Sequence, residues 1–356
     1  MALTFPTLSA LADAPFDEII DVRSPAEFAE DHVPGAISLP VMSNAERARV
    51  GTIYVQESRF VARKLGAAIV ARNVAAHIDA HFTHKPTGYR PLVYCWRGGQ
   101  RSGAMATILG QIGWRVETVD GGYRSYRRLV ADRLYDRPLG LNLVLLDGNT
   151  GCAKTDLLHL LAARGVQMID LEGLAHHRGS VFGGYADAPQ PAQKGFESAL
   201  AQAIEALDPA RPVVVEAESN KIGSVLLPPT LWEAMRAAPR VEVRAATAER
   251  ARYLTGRYAD IVADPDRLTD LIGRLGRLHP KDRIEEWHAL GVAGDHAALA
   301  ESLMVHHYDP TYQRSRGRWP GAVAALEVPS LDAQGLATAA DRLAPMVAEA
   351  GALPSR

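Results

Sequence analysis

The chain has 356 residues, a formal net charge of −2, 47% apolar and 22% charged residues, the balance of a folded protein with ample core. Its length points to two domains, and its near-neutral balance excludes a global basic field for nucleic acid while leaving room for a local patch. Cys95 and Cys152 are the only cysteines, which excludes a disulfide framework and points to a reducing, cytoplasmic setting. No run of about 18 apolar residues could cross a membrane, and residues 1–6 lack the basic start of a signal peptide.

In chain order, residues 16–22 read as a strand, followed by a helix with Ser24 as cap and Pro25 at its first position. His32-Val33-Pro34-Gly35 is a turn before a short strand. Residues 58–82 are alanine-rich with helical spacing, predicting one long helix or two. His77 and His81 share a face there, and a solvated face is the simpler account than a metal pair. Pro91-Leu92-Val93 ends a buried strand. It runs into Tyr94-Cys95-Trp96-Arg97-Gly98-Gly99-Gln100-Arg101-Ser102, and a helix follows. A cysteine at such a turn faces backbone N–H groups and a helix N-terminus, which attract anions and favour thiolate over thiol. Residues 115–120 form another strand, closed by Gly121-Gly122-Tyr123. Alternating strands and helices predict a small parallel α/β sheet with Cys95 beyond the carboxyl end of a strand, where such sheets bind ligands.

Asp21-Val22-Arg23-Ser24-Pro25-x-Glu27-Phe28, His32-Val33-Pro34-Gly35-Ala36, the cysteine loop and Asp120-Gly121-Gly122 together resemble the rhodanese family over about 120 residues. The resemblance implies a cysteine that carries a chalcogen cradled by loop amides. The spacing here is C-x5-R, one residue longer than in common sulfurtransferases and shared with cysteine phosphatases. A wider cradle suits a phosphate or a heavier atom such as selenium. Tyr94, where phosphatases place histidine, weighs against a phosphatase.

Arg124, Arg127 and Arg128 lie on one side of the next helix, as a solvated face or as a stripe tracking RNA phosphates. Pro138-Leu139-Gly140 breaks that helix and sets a boundary between a domain over 1–137 and one over 138–356. Residues 141–147 are a buried strand. Gly148-Asn149-Thr150-Gly151-Cys152-Ala153-Lys154-Thr155 and an apolar helix follow, the order of a phosphate loop. Gly148, Asn149, Thr150 and Gly151 would cradle a diphosphate, with Lys154 as point charge and Thr155 able to reach Mg²⁺. Ala153 stands where the pattern asks for glycine, which strains a tight nucleotide fit. Cys152 reads as a packing residue. A strand over 165–170 leads into a long polar connection with Asp170, Glu172, His177 and Arg178 as candidate substrate or metal residues. A strand over 212–219 carries Glu216 and Glu218, which could hold Mg²⁺ or polarise water. The remainder is predicted mostly helical, with Pro345 kinking or dividing the last helix. Tyr308, Tyr312 and Arg314 form an aromatic–basic segment suited to stacking on unpaired bases, or a plain surface loop.

The fold predicted is thus α/β: a small rhodanese-like parallel-sheet domain, then a P-loop NTPase-like α/β domain with a helical C-terminal part. This pairing, the cysteine loop, the phosphate loop, residues 170–183, Glu216-x-Glu218-Ser219-x-x-Ile222-Gly223 and Tyr308-Asp309-Pro310-x-Tyr312 resemble the bacterial tRNA 2-selenouridine synthase family. The resemblance implies a two-stage reaction on wobble 2-thiouridine in the anticodon region of tRNA. Sulfur is geranylated from geranyl diphosphate, and selenium from selenophosphate then replaces the geranylthio group. It implies that Cys95 attacks the selenium of selenophosphate to form a perselenide. Arg101, Trp96, Arg97, Gly98, Gly99, Gln100 and Ser102 would hold the donor. It also implies selenophosphate synthetase as a partner, no membrane, and no tightly bound cofactor beyond Mg²⁺. Two other readings stand beside it: an ATP-dependent tRNA sulfurtransferase that adenylates the base, and a rhodanese-like binding module with an unreactive Cys95.

Overall fold

The structure is a computed structural model that describes residues 1–316 and 321–352. Met1–Arg137 with Pro191–Glu205 forms one compact unit, and Pro138–Gln190 with Ala206–Arg356 forms the other.

The first unit contains β1 (Ala2–Leu3), α1 (Leu8–Ala12), β2 (Glu18–Asp21), α2 (Pro25–Glu30), β3 (Ile37–Ser38), α3 (Asn44–Gln56), α4 (Arg59–His77), β4 (Pro91–Tyr94), α5 (Gln100–Ile112), β5 (Glu117–Val119) and α6 (Tyr123–Ala131). The strands form one sheet in the order β1-β5-β4-β2-β3, with every pairing parallel. Ile20, Val93, Met105 and Leu109 fill its core with Ile69, Val70 and Val74 of α4. Ser24 and Glu27 close a reciprocal capping box on α2, with Pro25 in its first turn. The predicted long helix over 58–82 is α4 and a short π-helical turn, Ile78–Phe82. His77 Nε2 bonds the Pro40 carbonyl and His81 Nε2 the Glu18 carboxylate, so both histidines tie the helix to the sheet.

The rest of the chain adds β6 (Asn142–Gly148), α7 (Lys154–Ala162), β7 (Gln167–Ile169), α8 (Leu171–Leu174), α9 (Gln193–Glu205), β8 (Pro212–Glu216), β9 (Lys221–Ile222), β10 (Val225–Leu226), α10 (Pro229–Ala237) and β11 (Arg240–Arg244). It continues through α11 (Thr247–Arg257), α12 (Ala259–Val262), α13 (Pro265–Arg274), α14 (Lys281–Ala293), α15 (His296–Leu303), α16 (Asp309–Arg316), β12 (Ala324–Glu327) and α17 (Ala333–Gly351). The second sheet runs β12-β11-β6-β8-β7, again all parallel. β6 is central and apolar: on one face Val144 and Leu146 pack with Leu157 and Leu161 of α7 and Leu343 and Val347 of α17, and on the other Leu143 and Leu145 are buried as well. The helices α11 to α15 enclose a separate core around Trp287, Ile272 and Leu303.

Two expectations need correction. Pro345 neither divides nor ends α17, which runs unbroken through it. Pro345 is on the exposed side, so the carbonyl it frees meets water, while Leu343 and Val347 on the inner face hold the helix on the sheet. The second domain was also expected to take everything after residue 137, yet α9 belongs to the first unit. The cause is a buried carboxylate: Glu197 of α9 accepts from Tyr135 Oη at 2.6 Å and pairs with Arg127 of α6.

Candidate active sites

In the first unit Cys95 lies one residue past β4 and is only 3% exposed. Its Sγ accepts from the Gly99 N–H at 3.3 Å and from the Ser102 hydroxyl at 3.2 Å. Gly99 is the residue before α5, so the sulfur sits at a helix N-terminus. Burial, the largest single influence, opposes a thiolate. The Ser102 hydroxyl and amide, the Arg97 amide and the charge of Arg101 together outweigh it, and the thiol titrates below its ordinary value.

The loop is held from behind. The N–H of Tyr123 donates to the Cys95 carbonyl at 2.8 Å and that of Arg124 to Trp96 at 3.2 Å. Gly122, at φ +60°, makes this contact possible, since a Cβ there would overlap the Cys95 carbonyl oxygen and the Gly98 amide. Arg23, 1% exposed, grips Asp21 through Nε and Nη2 and lies 3.9 Å from the Tyr123 ring centroid. Trp96 packs on Tyr123, ring centroids 5.2 Å apart. The motifs around residues 21 and 121 therefore shape the cysteine loop.

The structure changes the part given to Arg101. Its Nη1 donates to Glu27 Oε2 at 3.0 Å, so the guanidinium is anchored on α2 rather than held wholly for a ligand. Burial raises the Glu27 carboxyl, but Arg101 and Ser24 overrule it and hold the group at about 2. Arg97, Gly99 and Gln100 are exposed at the mouth of the loop, Gly98 and Trp96 half-buried, and Ser102 buried. Of the arginines of α6, Arg127 pairs with Glu197, while Arg124 and Arg128 are exposed and Arg128 donates to Ser125 Oγ at 3.0 Å.

In the second unit β6 runs into the phosphate loop, and α7 starts at Lys154. Lys154 Nζ donates to the Gly148 carbonyl at 3.0 Å and lies 5.4 Å from the Tyr312 ring centroid. Burial favours its neutral form, but Tyr312, Glu218 and Glu172 hold it charged. Arg250, 3% exposed, donates from Nε to the Thr150 carbonyl at 2.8 Å and grips Asp309 at 2.6 and 2.9 Å. Asp309 thus braces the phosphate loop from α16, and Tyr312 covers its lysine.

Ala153 adopts φ 54°, ψ 34°, the left-handed conformation that the glycine of the usual pattern supplies. The loop closes in spite of the side chain, at a cost of about 1 kcal/mol. Ala153→Gly is expected to raise the melting temperature by about 2–4 °C. A fall in melting temperature would show that the methyl, buried in the sheet core, contributes more than the strain removes.

Around Lys154 stand three carboxyls, Glu172 half-buried and Glu216 and Glu218 buried. Thr155 Oγ1 donates to Glu172 Oε2 at 2.8 Å. Glu218, 8% exposed, is pushed up to about 8, first by burial and then by the charge of Glu172, to which it is hydrogen-bonded. Glu216, fully buried, accepts the Glu172 N–H at 2.8 Å and keeps Oε2 without a partner; burial pushes its carboxyl well above the usual range.

Lys154, Thr155, Thr150, Gly151, Glu172, Arg178 and Glu218 line one cleft of about 290 Å³. Other candidates lie elsewhere. Asp170 caps α8 by accepting the Gly173 N–H at 2.7 Å and bonds His159 at 2.8 Å. His177 Nδ1 accepts the Gly179 N–H at 3.2 Å, a turn-holding role. The Asn149 carbonyl accepts the Cys152 N–H, and Cys152 packs in the sheet core with its thiol raised by burial. Sequence reasoning missed Tyr253, Tyr258 and Ser180, which also line the cleft. Arg250, Leu254, Arg257 and Tyr258 recur at helical spacing on α11, the signal that could have exposed this wall.

The cleft shares Thr150, Ser180, Leu254, Tyr258 and Tyr308 with a second, drier chamber of about 80 Å³. Phe182, Ile261, Leu268, Leu299, Leu303 and Met304 form most of its remaining wall, with Thr255, Val262, His296 and Ala300. Among the described residues no three His, Cys, Asp or Glu side chains gather as a metal site, and no helix is long and apolar enough to cross a membrane.

Residues 4–129 match the rhodanese-like domain family, and residues 141–269 match the family described as the tRNA 2-selenouridine synthase AAA domain. The tRNA 2-selenouridine synthase of Shewanella halifaxensis is 32% identical over 328 residues, 83% of this chain and 87% of that protein. The proteins of the same name from Cupriavidus pinatubonensis and Bordetella bronchiseptica are 34% and 35% identical, over 83% and 86% of this chain and 87% and 89% of theirs. With a thiolate loop in one unit, a phosphate loop in the other and these likenesses across both, the chain belongs to the tRNA 2-selenouridine synthase family of enzymes.

Proposed function

We propose that this enzyme converts wobble 2-thiouridine of tRNA to 2-selenouridine through an S-geranyl intermediate, with geranyl diphosphate and selenophosphate as co-substrates. The observation that carries the first half is the union of two spaces: a phosphate cleft opening onto an apolar chamber. An isoprenoid diphosphate has this shape, a dianionic-to-trianionic head on a hydrocarbon tail. An ATP-dependent sulfurtransferase would leave the chamber without a use.

In the first step the base sulfur attacks C1 of the geranyl group, the C1–O bond breaks and diphosphate departs. The loop amides and Lys154 face the charge that develops on the leaving oxygens. The alkylated ring gives up its N3 proton, and Glu218, poised at about 8 beside Glu172, is matched to moving a proton near neutral pH. Magnesium fits the oxygen donors of this cleft: Thr155, Glu172 and Glu218 line it, and the buried Glu216, bonded to the Glu172 N–H, keeps Oε2 without a partner. Thr155, Glu172 and Glu218 would hold the ion, which would neutralise diphosphate charge when bound.

In the second step selenium replaces the geranylthio group at C2, and geranylthiol leaves with a proton. Selenophosphate already carries selenium as selenide. Attack of Cys95 on selenium would therefore release phosphorus two electrons more reduced, as phosphite. Attack on phosphorus breaks the P–Se bond, frees hydrogen selenide and leaves a phosphocysteine that water hydrolyses to phosphate. The C-x5-R spacing shared with cysteine phosphatases and a sulfur whose thiolate form is favoured by hydrogen bonds from Gly99 and Ser102 support attack on phosphorus.

The chamber is tested by Leu303→Trp, which fills it. Geranyl transfer is expected to fall at least about 30-fold, transfer of the five-carbon dimethylallyl group to fall less, and the thermal shift given by inorganic diphosphate to persist. Normal geranyl transfer by the variant would place the tail elsewhere.

A further inference from the structure

The hairpin formed by α3 and α4 is built unlike the other helices of the first unit. α3 has 13 residues and buries none of them. It rests on α4, which turns Ala62, Gly66, Ile69, Val70 and Val74 to the core and keeps its opposite face in solvent. An ordinary surface helix buries one stripe fully; on α3 the inner side, Glu46, Val50 and Ile53, is only half-buried, with Val50 packed against the core.

The side chains it presents are also out of keeping with bare solvent. Val55 is 83% exposed and Phe60 68%, with Tyr54 and Val61 beside them at 42% each. Each aromatic has a cation over its ring: Arg59 lies 5.6 Å from the Tyr54 centroid, and Lys64 lies 5.1 Å from that of Phe60. Residues 44–77 hold six Arg and Lys against two Glu, a balance of +4 in a chain whose total is −2. Glu46 is engaged with Ser43 and Asn73, and Arg47 lies 3.5 Å from Glu27. Among the described residues the other five, Arg49, Arg59, Arg63, Lys64 and Arg72, have no carboxylate within 4.0 Å. On α11 to α14, by contrast, Arg252, Arg267, Arg274, Lys281 and Arg283 are all ion-paired.

We propose that the exposed face of the α3–α4 hairpin is an RNA-docking surface, with Tyr54 and Phe60 stacking on unpaired bases and the five unpaired cations meeting phosphates. A second copy of the chain would bring like charge to like charge, and an apolar protein surface would leave the cations without partners. A single-stranded loop of RNA satisfies both features, because bases stack on aromatic rings while their backbone carries the counter-charge. This inference rests on the RNA-modifying reading above and names an element that receives the RNA.

The test is binding of an in vitro-transcribed tRNA to the full-length protein, followed by fluorescence anisotropy across a salt series. Arg59→Glu/Arg63→Glu/Lys64→Glu, all at exposed positions, is expected to weaken binding at least about 30-fold near 100 mM salt. The slope of log K against log salt should flatten by about 2. Phe60→Ala is expected to weaken binding about 5–10-fold with the slope unchanged. Alkylation of Cys95 by iodoacetamide at the wild-type rate in each variant would show that the unit remains folded. Wild-type affinity and slope in all variants would overturn the proposal, as would unchanged tRNA affinity with a shift in oligomeric state, which would mark a contact between copies. A wild-type protein that fails to bind tRNA overturns the RNA-modifying reading itself, a result visible before any variant is made.

Discussion

Cys95→Ser is expected to abolish selenium incorporation, by more than about a thousandfold, while geranyl transfer to the same tRNA stays within about twofold of wild type. The split follows from the separation of the two chemistries. The thiolate sits in a loop of the first unit, braced by Gly99 and Ser102, and none of the groups around the phosphate loop belongs to that unit. The same loop fixes the direction of its pH dependence. Hydrogen bonds from Ser102 lower the thiol from its ordinary value against the cost of burial, so the thiolate survives to lower pH than that of a free cysteine. Alkylation by iodoacetamide should therefore have its midpoint at lower pH in the wild type than in Ser102→Ala. With selenophosphate as donor, wild-type turnover should yield phosphate in ³¹P spectra. Phosphite would instead mark attack on selenium, and undiminished selenation by Cys95→Ser would remove the cysteine from the mechanism.

Lys154→Ala is expected to slow geranyl transfer about 10²–10³-fold, with the selenation of a tRNA already carrying the S-geranyl group left intact. The lysine is half-buried, bonded to the Gly148 carbonyl and covered by Tyr312, in a cleft that Arg178, Arg240 and Arg257 line together with Asp147, Glu172 and Glu218. Removing it takes away the one cation carried by the phosphate loop itself and leaves Glu172 and Glu218 opposed only by the arginines of the cleft wall. Unchanged geranyl transfer would move the diphosphate to another site.

The local parts of both sites were legible in the sequence because their chemistry is written in adjacent residues. Cys95 with its glycines and Gly148 to Thr155 with its lysine each define a strand, a turn and a helix within about a dozen positions. What sequence could not show was set by distant partners. Arg101 reads as a ligand for phosphate until Glu27, far back in the chain, claims one of its nitrogens. Asp309 and Tyr312 read as an aromatic–basic segment, and only the fold brings them to Arg250 and Lys154. The placement of α9 turned on one buried carboxylate, Glu197, that no periodicity reveals. α3 escaped prediction because its inner side carries only Val50 and Ile53, half-buried, and Glu46, too weak an apolar stripe to find. The apolar chamber is assembled from residue 182 and from positions spread over 254–304, each an ordinary core residue by itself.

The central claim is that sulfur must be alkylated before selenium can replace it. It is tested most directly by mass spectrometry of nucleosides from 2-thiouridine-bearing tRNA incubated with the enzyme. With geranyl diphosphate alone the account predicts S-geranyl-2-thiouridine, and adding selenophosphate then converts it to 2-selenouridine without ATP. Formation of 2-selenouridine at the same rate in the absence of geranyl diphosphate, or only in the presence of ATP, would contradict it.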